Sequence, residues 1–117
     1  EVLNLCGQDT LKQLAALMAR ADLVIAPDTG PAHIANAMGT DVLGLYAGSN
    51  PHRSGPYNSL EWCVNRYPEA LERFTGKRVE NARWGTKAEF NGAMELITVD
   101  DATAMLDHWM TQRRQTA

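Results

Sequence analysis

The chain has 117 residues, enough for one domain around one core. Hydrophobic residues make up 44% and charged residues 21%, the balance of an ordinary globular protein and not of a disordered one. A formal net charge of −3 provides no global field to attract nucleic acid, and no run approaches the ~20 apolar residues that a membrane-crossing helix needs.

Residues 2–5 (Val2, Leu3, Asn4, Leu5) read as a buried strand ending at Gly7. Thr10 and Gln13 have the spacing of a capping box. Leu11, Leu14, Ala15 and Met18 form the stripe of an amphipathic helix, placed at 10–21. Residues 23–26 are a continuous apolar run, the pattern of a strand covered on both faces. A second helix is expected over 30–38, with Ile34, Ala35 and Met38 on one side and Gly39 closing it. The next strand falls at 42–46. Strands and helices that alternate through short connections predict a parallel sheet flanked by helices, an α/β fold.

The middle of the chain is less regular. Residues 47–58 hold Gly48, Asn50, Pro51, Gly55 and Pro56 and read as a long loop. Residues 62–64 suggest a fourth strand, and 68–74 a short helix with Leu71 and Phe74 inward and Gly76 at its end. Residues 76–91 are polar and read as a loop that packs through Trp84 and Phe90. The last helix is placed at 98–113: Thr98 caps it, Asp100 and Asp101 sit in its first turn, and Arg113 and Arg114 at its end suit the dipole. Its apolar stripe is Ala102, Met105, Leu106 and Trp109. Cys6 and Cys63 both lie in apolar surroundings, which predicts buried, reduced thiols and a cytoplasmic setting.

The segment richest in chemistry is Asp28, Thr29, Gly30, Pro31, Ala32 and His33, directly after an apolar strand run. Its order is strand, tight polar turn, helix N-terminus. A helix start offers free N–H groups and partial positive charge, a natural seat for phosphate. Gly30 allows close approach of a ligand, Pro31 suits the first helical position, and Thr29 and His33 add a hydroxyl and an imidazole. The same segment can be read more plainly, with Asp28 or Thr29 as an N-cap and His33 on the surface. The loop over 49–57 is a second candidate. There Arg53 could neutralise phosphate charge and Tyr57 could stack or donate a hydrogen bond, or the loop could be rigid and solvated.

Other chemistry is missing from the sequence. No Cys or His pair has metal-ligand spacing, and His33, His52 and His108 lie far apart. No Walker loop, Gly-x-Gly-x-x-Gly or Gly-x-Ser-x-Gly elbow occurs. His108 reads as a solvated residue of the last helix.

The residues Leu11, Leu14-Ala15 and Ala21-Asp22-Leu23-Val24-Ile25, then Asp28-Thr29-Gly30-Pro31-Ala32-His33-Ile34-Ala35, then Gly39, Val42, Tyr46, Pro51 and Gly55-Pro56-Tyr57, together resemble glycosyltransferase family nine, the bacterial heptosyltransferases of lipopolysaccharide core synthesis. The resemblance covers 7–57 and about 94–110, while 58–93 match nothing placed. It implies a GT-B architecture of two Rossmann-like domains, with residues 1–117 as the carboxyl-terminal, nucleotide-sugar-binding domain, trimmed at its amino end. It implies that Asp28, Thr29 and Gly30 meet the donor's diphosphate or sugar, with Pro31 and His33 beside them, and that Gln8, Asp9 and Thr10 lie near its nucleoside. Asp28 is better aimed at sugar hydroxyls, or at the helix as a cap, than at a diphosphate.

The resemblance further implies an inverting transfer from an ADP-sugar, with ADP-heptose or a related nucleotide sugar as donor and the lipopolysaccharide inner core as acceptor, met through the amino-terminal domain. No metal or other cofactor is expected, and no nucleic acid. The family's catalytic carboxylate lies in the amino-terminal domain, so no catalytic residue is assigned here and the chain alone is expected to be inactive. The parent protein is expected in the cytoplasm, peripheral at the inner membrane. Met105, Leu106, Trp109 and Met110 would be shaped partly for a missing partner, which predicts self-association through the 98–113 helix or partial exposure of Trp109. Other readings are another GT-B enzyme, such as a nucleotide-sugar epimerase, or a non-catalytic nucleotide-binding module.

Overall fold

A computed structural model describes residues 2–116. The elements run α1 (Leu11–Arg20), β1 (Leu23–Pro27), α2 (Gly30–Ala37), β2 (Asp41–Tyr46), α3 (Pro51–Ser54), a 3-10 segment (Tyr57–Trp62), β3 (Val64–Asn65), α4 (Tyr67–Thr75), short 3-10 turns at Val79–Asn81 and Met94–Leu96, and α5 (Val99–Thr116). The three strands pair in parallel in the order β1-β2-β3. The α/β fold with a parallel, helix-flanked sheet is thus present, as one Rossmann-like half of a GT-B enzyme requires.

Local chemistry accounts for the helix ends. Thr10 and Gln13 form the expected capping box: the Gln13 N–H donates to Thr10 Oγ1 at 3.2 Å, and the Thr10 N–H donates to Gln13 Oε1 at 2.9 Å. Thr98 and Asp101 do the same for α5, at 3.0 and 3.1 Å. Helix α2 closes on a Schellman turn. There Gly39 at φ 79° lets the Gly39 and Thr40 amides reach back to Asn36 and Ala35.

Helices α1 and α2 cover one face of the sheet. Val24, Ala26 and Val42 point up into Ala32 and Ala35 of α2, with Met18 and Ala21 alongside. Helix α5 covers the opposite face of β2 and β3, where the Trp109 indole N–H donates to Asp41 Oδ2 at 2.8 Å. A second cluster holds the rest of the chain: Ala47, Tyr67, Ala70, Leu71, Ala88 and Ala93, with Phe74 packed against it. No helix among the described residues is long and apolar enough to cross a membrane.

Several expectations need correction. Residues 2–5 form no strand. Val2 and Leu3 stand exposed, because four residues with no neighbouring strand have neither a ladder nor a face to bury. Strand β1 is covered on one face only: Ile25 remains 55% exposed, since α5 crosses over β2 and β3 and not over β1. Leu11 of the predicted stripe and Met38 are likewise exposed.

The loop at 47–58 contains α3 and the start of the 3-10 segment, because Asn50 caps Pro51 and opens a helical turn. The fourth strand shrinks to Val64–Asn65, Trp62 being used in the 3-10 segment. The predicted helix at 68–74 is α4, with Leu71 buried and Gly76 in the left-handed region. The loop after it does not pack through Trp84, which is 72% exposed. Buried Ala88 anchors it instead, its N–H donating to the Gly48 carbonyl at 2.7 Å, while Phe90 only stacks on Phe74. Trp109 is buried at 7% exposure on its own sheet, so the expected partial exposure is overturned. Cys63 is buried as expected, but Cys6 is exposed.

Candidate functional site

In the parallel register Pro27 lies beside Leu45. The loops leaving β1 and β2 therefore emerge side by side at the carboxyl edge of the sheet, where ligands of such sheets bind. Helix α1 runs antiparallel to β1, so its first turn lies at the same edge as that of α2.

The first loop opens α2. Thr29 is the N-cap residue, but its side chain makes no cap bond; its hydroxyl donates to the Pro27 carbonyl at 3.3 Å. Asp28 does not cap either. Its Oδ2 accepts from the hydroxyls of Ser49 at 2.7 Å and Ser54 at 3.3 Å. The plain reading holds in part: Thr29 is the N-cap residue and His33 lies on the surface, but no side chain caps the helix, because the second loop takes the Asp28 carboxylate and Thr29 turns to the Pro27 carbonyl. The first-turn amides of α2 are left without a side-chain acceptor. Gly30 faces open space, and Asp28, Thr29, Gly30 and His33 are all exposed. Pro31 occupies the first turn. The result is an open, uncapped helix start flanked by an anchored carboxylate, a hydroxyl and an imidazole.

Tyr46 stands behind this site at the end of β2. Its ring is buried against Gly44, its hydroxyl has no partner among the described residues, and burial together with the charge of Asp28 pushes its ionisation far above the ordinary range.

The remaining predicted site residues make no hydrogen bond to this group among the described residues, although Arg53 directly precedes Ser54, which bonds Asp28. Thr10 spends its hydroxyl on the α1 cap. Asp9 lines a shallow cleft of about 350 Å³ with Leu5, Gln8 and Gln13 along α1. Arg53 turns its guanidinium onto Gly85, which a Cβ would bring within 2.9 Å of Nε, and the Tyr57 hydroxyl donates to the Arg53 carbonyl. The residues that sequence reasoning missed are Ser49 and Ser54. The signal for the first was present in Ser49-Asn50-Pro51, a polar step straight off a strand, but its partner was not.

A sequence profile of glycosyltransferase family 9 (heptosyltransferase) matches residues 1–82. The chain belongs to glycosyltransferase family 9. The family 9 match runs through 58–82, which the sequence reading left unplaced, and stops short of 94–110, which that reading included. The chain is similar to the lipopolysaccharide core heptosyltransferase OpsX of Haemophilus influenzae, at 45% identity over 97 residues, covering 83% of this chain and 28% of that protein. It is also similar to a second protein of the same organism, described as a candidate glycosyltransferase, at 29% identity over 110 residues, 92% of this chain and 27% of that protein. The family 9 chain thus spans little more than a quarter of the length of either relative. No solved structure gives a significant match.

Proposed function

We propose that this chain is the donor-binding domain of a heptosyltransferase of lipopolysaccharide core synthesis. The observation that carries this is the segment Asp28 to His33, which opens α2 uncapped at the carboxyl edge of a parallel sheet in a family 9 chain. The donor is a nucleotide sugar, ADP-heptose by the family resemblance. Its diphosphate sits on the first-turn amides of α2, beside Thr29, Gly30 and His33. Helix-start donors stabilise the leaving diphosphate as charge develops on it, without need of a metal. Asp28, held through Oδ2, keeps Oδ1 free to accept from a hydroxyl of the transferred sugar.

The acceptor is the inner core of lipopolysaccharide. Its attacking hydroxyl needs a general base within about 3 Å, which the family resemblance assigns to a separate amino-terminal domain. The working enzyme sits in the cytoplasm against the inner membrane. Self-association through α5 would involve Met110 and the exposed part of the helix, since Trp109 is already covered.

The test is a titration of the isotope-labelled chain with ADP. Amide resonances of 28–33 should move first, and a Thr29→Val, Gly30→Ala double variant should respond at least tenfold more weakly. Shifts confined to other parts of the chain would overturn the reading.

A further inference from the structure

A cleft of about 440 Å³ opens beside the loop that follows β2. Asn50 and His52 enter it from that loop and Asn65 from the end of β3, while Glu72 of α4 and the turn residues Arg78 and Glu80 face them. Its size falls within the roughly 300–1,000 Å³ of small-molecule sites.

The hydrogen-bonding capacity of these walls is largely unspent. Asn50 Oδ1 accepts from the His52 N–H, and Asn65 Oδ1 accepts from the Tyr67 N–H, each at 3.0 Å. Both carboxamides are thereby fixed in orientation, and each keeps its two N–H donors. His52, Glu72, Arg78 and Glu80 enter no ion pair among the described residues. Oriented amides, one guanidinium and two carboxylates around a partly apolar wall of Tyr67 and Pro68 suit a polyhydroxylated ring, whose hydroxyls both donate and accept. Two carboxylates against one arginine disfavour a multiply charged phosphate.

The placement is also informative. Ser49 and Ser54, from the segment that carries Asn50 and His52, hold Asp28 in the donor site. One segment therefore contributes to both sites. The cleft lies at the end of β3, two strand spacings or roughly 10 Å from β1, a separation that a short oligosaccharide spans.

We propose that this cleft binds a saccharide unit of the acceptor, removed from the hydroxyl that is glycosylated. The proposal rests on the glycosyltransferase reading above. It is tested by titrating the labelled chain separately with ADP, with deacylated lipopolysaccharide core oligosaccharide and with inorganic phosphate, each to about 20 mM to allow for millimolar affinity. The oligosaccharide should move the amides of Asn50, His52, Asn65 and Arg78. Arg78→Ala and Glu72→Gln should each weaken that response at least fivefold and leave the ADP response of 28–33 unchanged, which also shows that the variants are folded. An oligosaccharide that leaves these amides unmoved, or binds both variants as it binds the parent chain, overturns the proposal. Equal shifts with phosphate overturn it in favour of a simple anion site. ADP binding without oligosaccharide binding sinks this proposal alone; the reverse sinks the donor-site reading and leaves the saccharide cleft standing.

Discussion

The Ser49 hydroxyl reaches across 2.7 Å to Oδ2 of Asp28, tying the loop after β2 to the loop after β1. Ser49 is buried while Asp28 is exposed, so the anchored end of the carboxylate is the protected one. Ser54, at 3.3 Å on the same oxygen, is the weaker tether. Ser49→Ala should therefore loosen Asp28 without removing it. The expected loss is about 1 kcal/mol in donor-sugar affinity, below the roughly 1.5–3 kcal/mol of a bond to a charged group because Asp28 is solvated. ADP without the sugar should bind as before, and Ser49→Thr should restore the lost affinity. Calorimetry with ADP-sugar and with ADP separates the two effects.

Two buried hydroxyls near the sheet should respond oppositely to deletion. Ser59 Oγ accepts from the Val42 N–H at 2.9 Å, deep between the 3-10 segment and β2. Ser59→Ala strands that amide, at a cost of about 1–3 kcal/mol. The Tyr46 hydroxyl has no partner to lose. Tyr46→Phe should leave stability unchanged or raise it by up to about 1 kcal/mol. Urea unfolding of the two variants provides the comparison, and destabilisation of both to the same degree would contradict it.

Acid should weaken the anchor of α5. Arg66 holds Asp101 with two bonds, Nη2 to Oδ1 at 2.7 Å and Nε to Oδ2 at 3.2 Å, and the Thr98 N–H adds a third. The guanidinium, with the Thr98 amide, lowers the Asp101 carboxyl from 3.8 to about 2. A carboxylate depressed in the folded state contributes its stability fully above its unfolded value, and loses it as pH falls through the folded one. The melting temperature should thus drop more steeply between pH 3.8 and about 2 in the parent chain than in Asp101→Asn, which is less stable at neutral pH.

The two thiols should separate cleanly under alkylation. Burial pushes Cys63 up to about 11, and its Sγ lies 3.6 Å from the Ser59 carbonyl. At pH near 8 only ~0.1% of it is thiolate. Cys6 is exposed. Iodoacetamide should modify one thiol in the folded chain, mapped to Cys6 by mass spectrometry, and both in urea. Rapid labelling of Cys63 without denaturant would contradict this.

The elements and residues legible in the sequence were those decided within a few positions. Thr10 with Gln13, Thr98 with its helix, and Gly39 and Gly76 as helix closers could all be read from local spacing, and β1, β2, α1, α2 and α5 followed from them. Illegible features depended on distant partners. Ser49 meets Asp28 from 21 positions away, Ser59 meets Val42 from 17, and Trp109 meets Asp41 from 68. The expectation of a strand at 2–5 failed because strand propensity has no effect without a neighbour to pair with. Thr29 and Asp28 look alike as caps in sequence; the approach of Ser49 takes Asp28 out of that role, and the Thr29 hydroxyl turns to the Pro27 carbonyl instead. Arg53 was singled out for its charge, and its packing against Gly85, 32 positions away, is another contact that local spacing does not announce.

The docking of α5 also bears on how the chain acquires its fold. Each strand pair, Leu23 beside Asp41 and Leu45 beside Val64, spans a single crossover, whereas Trp109 to Asp41 and Arg113 to Asp22 join opposite ends of the chain. Short loops close at lower entropic cost than long ones, so the sheet with α1 and α2 can assemble before the terminal helix arrives. On the ribosome, the side of β2 that carries Asp41 and Leu43 stays wet until the last turns of α5 emerge. A released chain cut short between residues 99 and 109 would leave a nearly finished sheet with one bare side, the kind of species that is prone to aggregate.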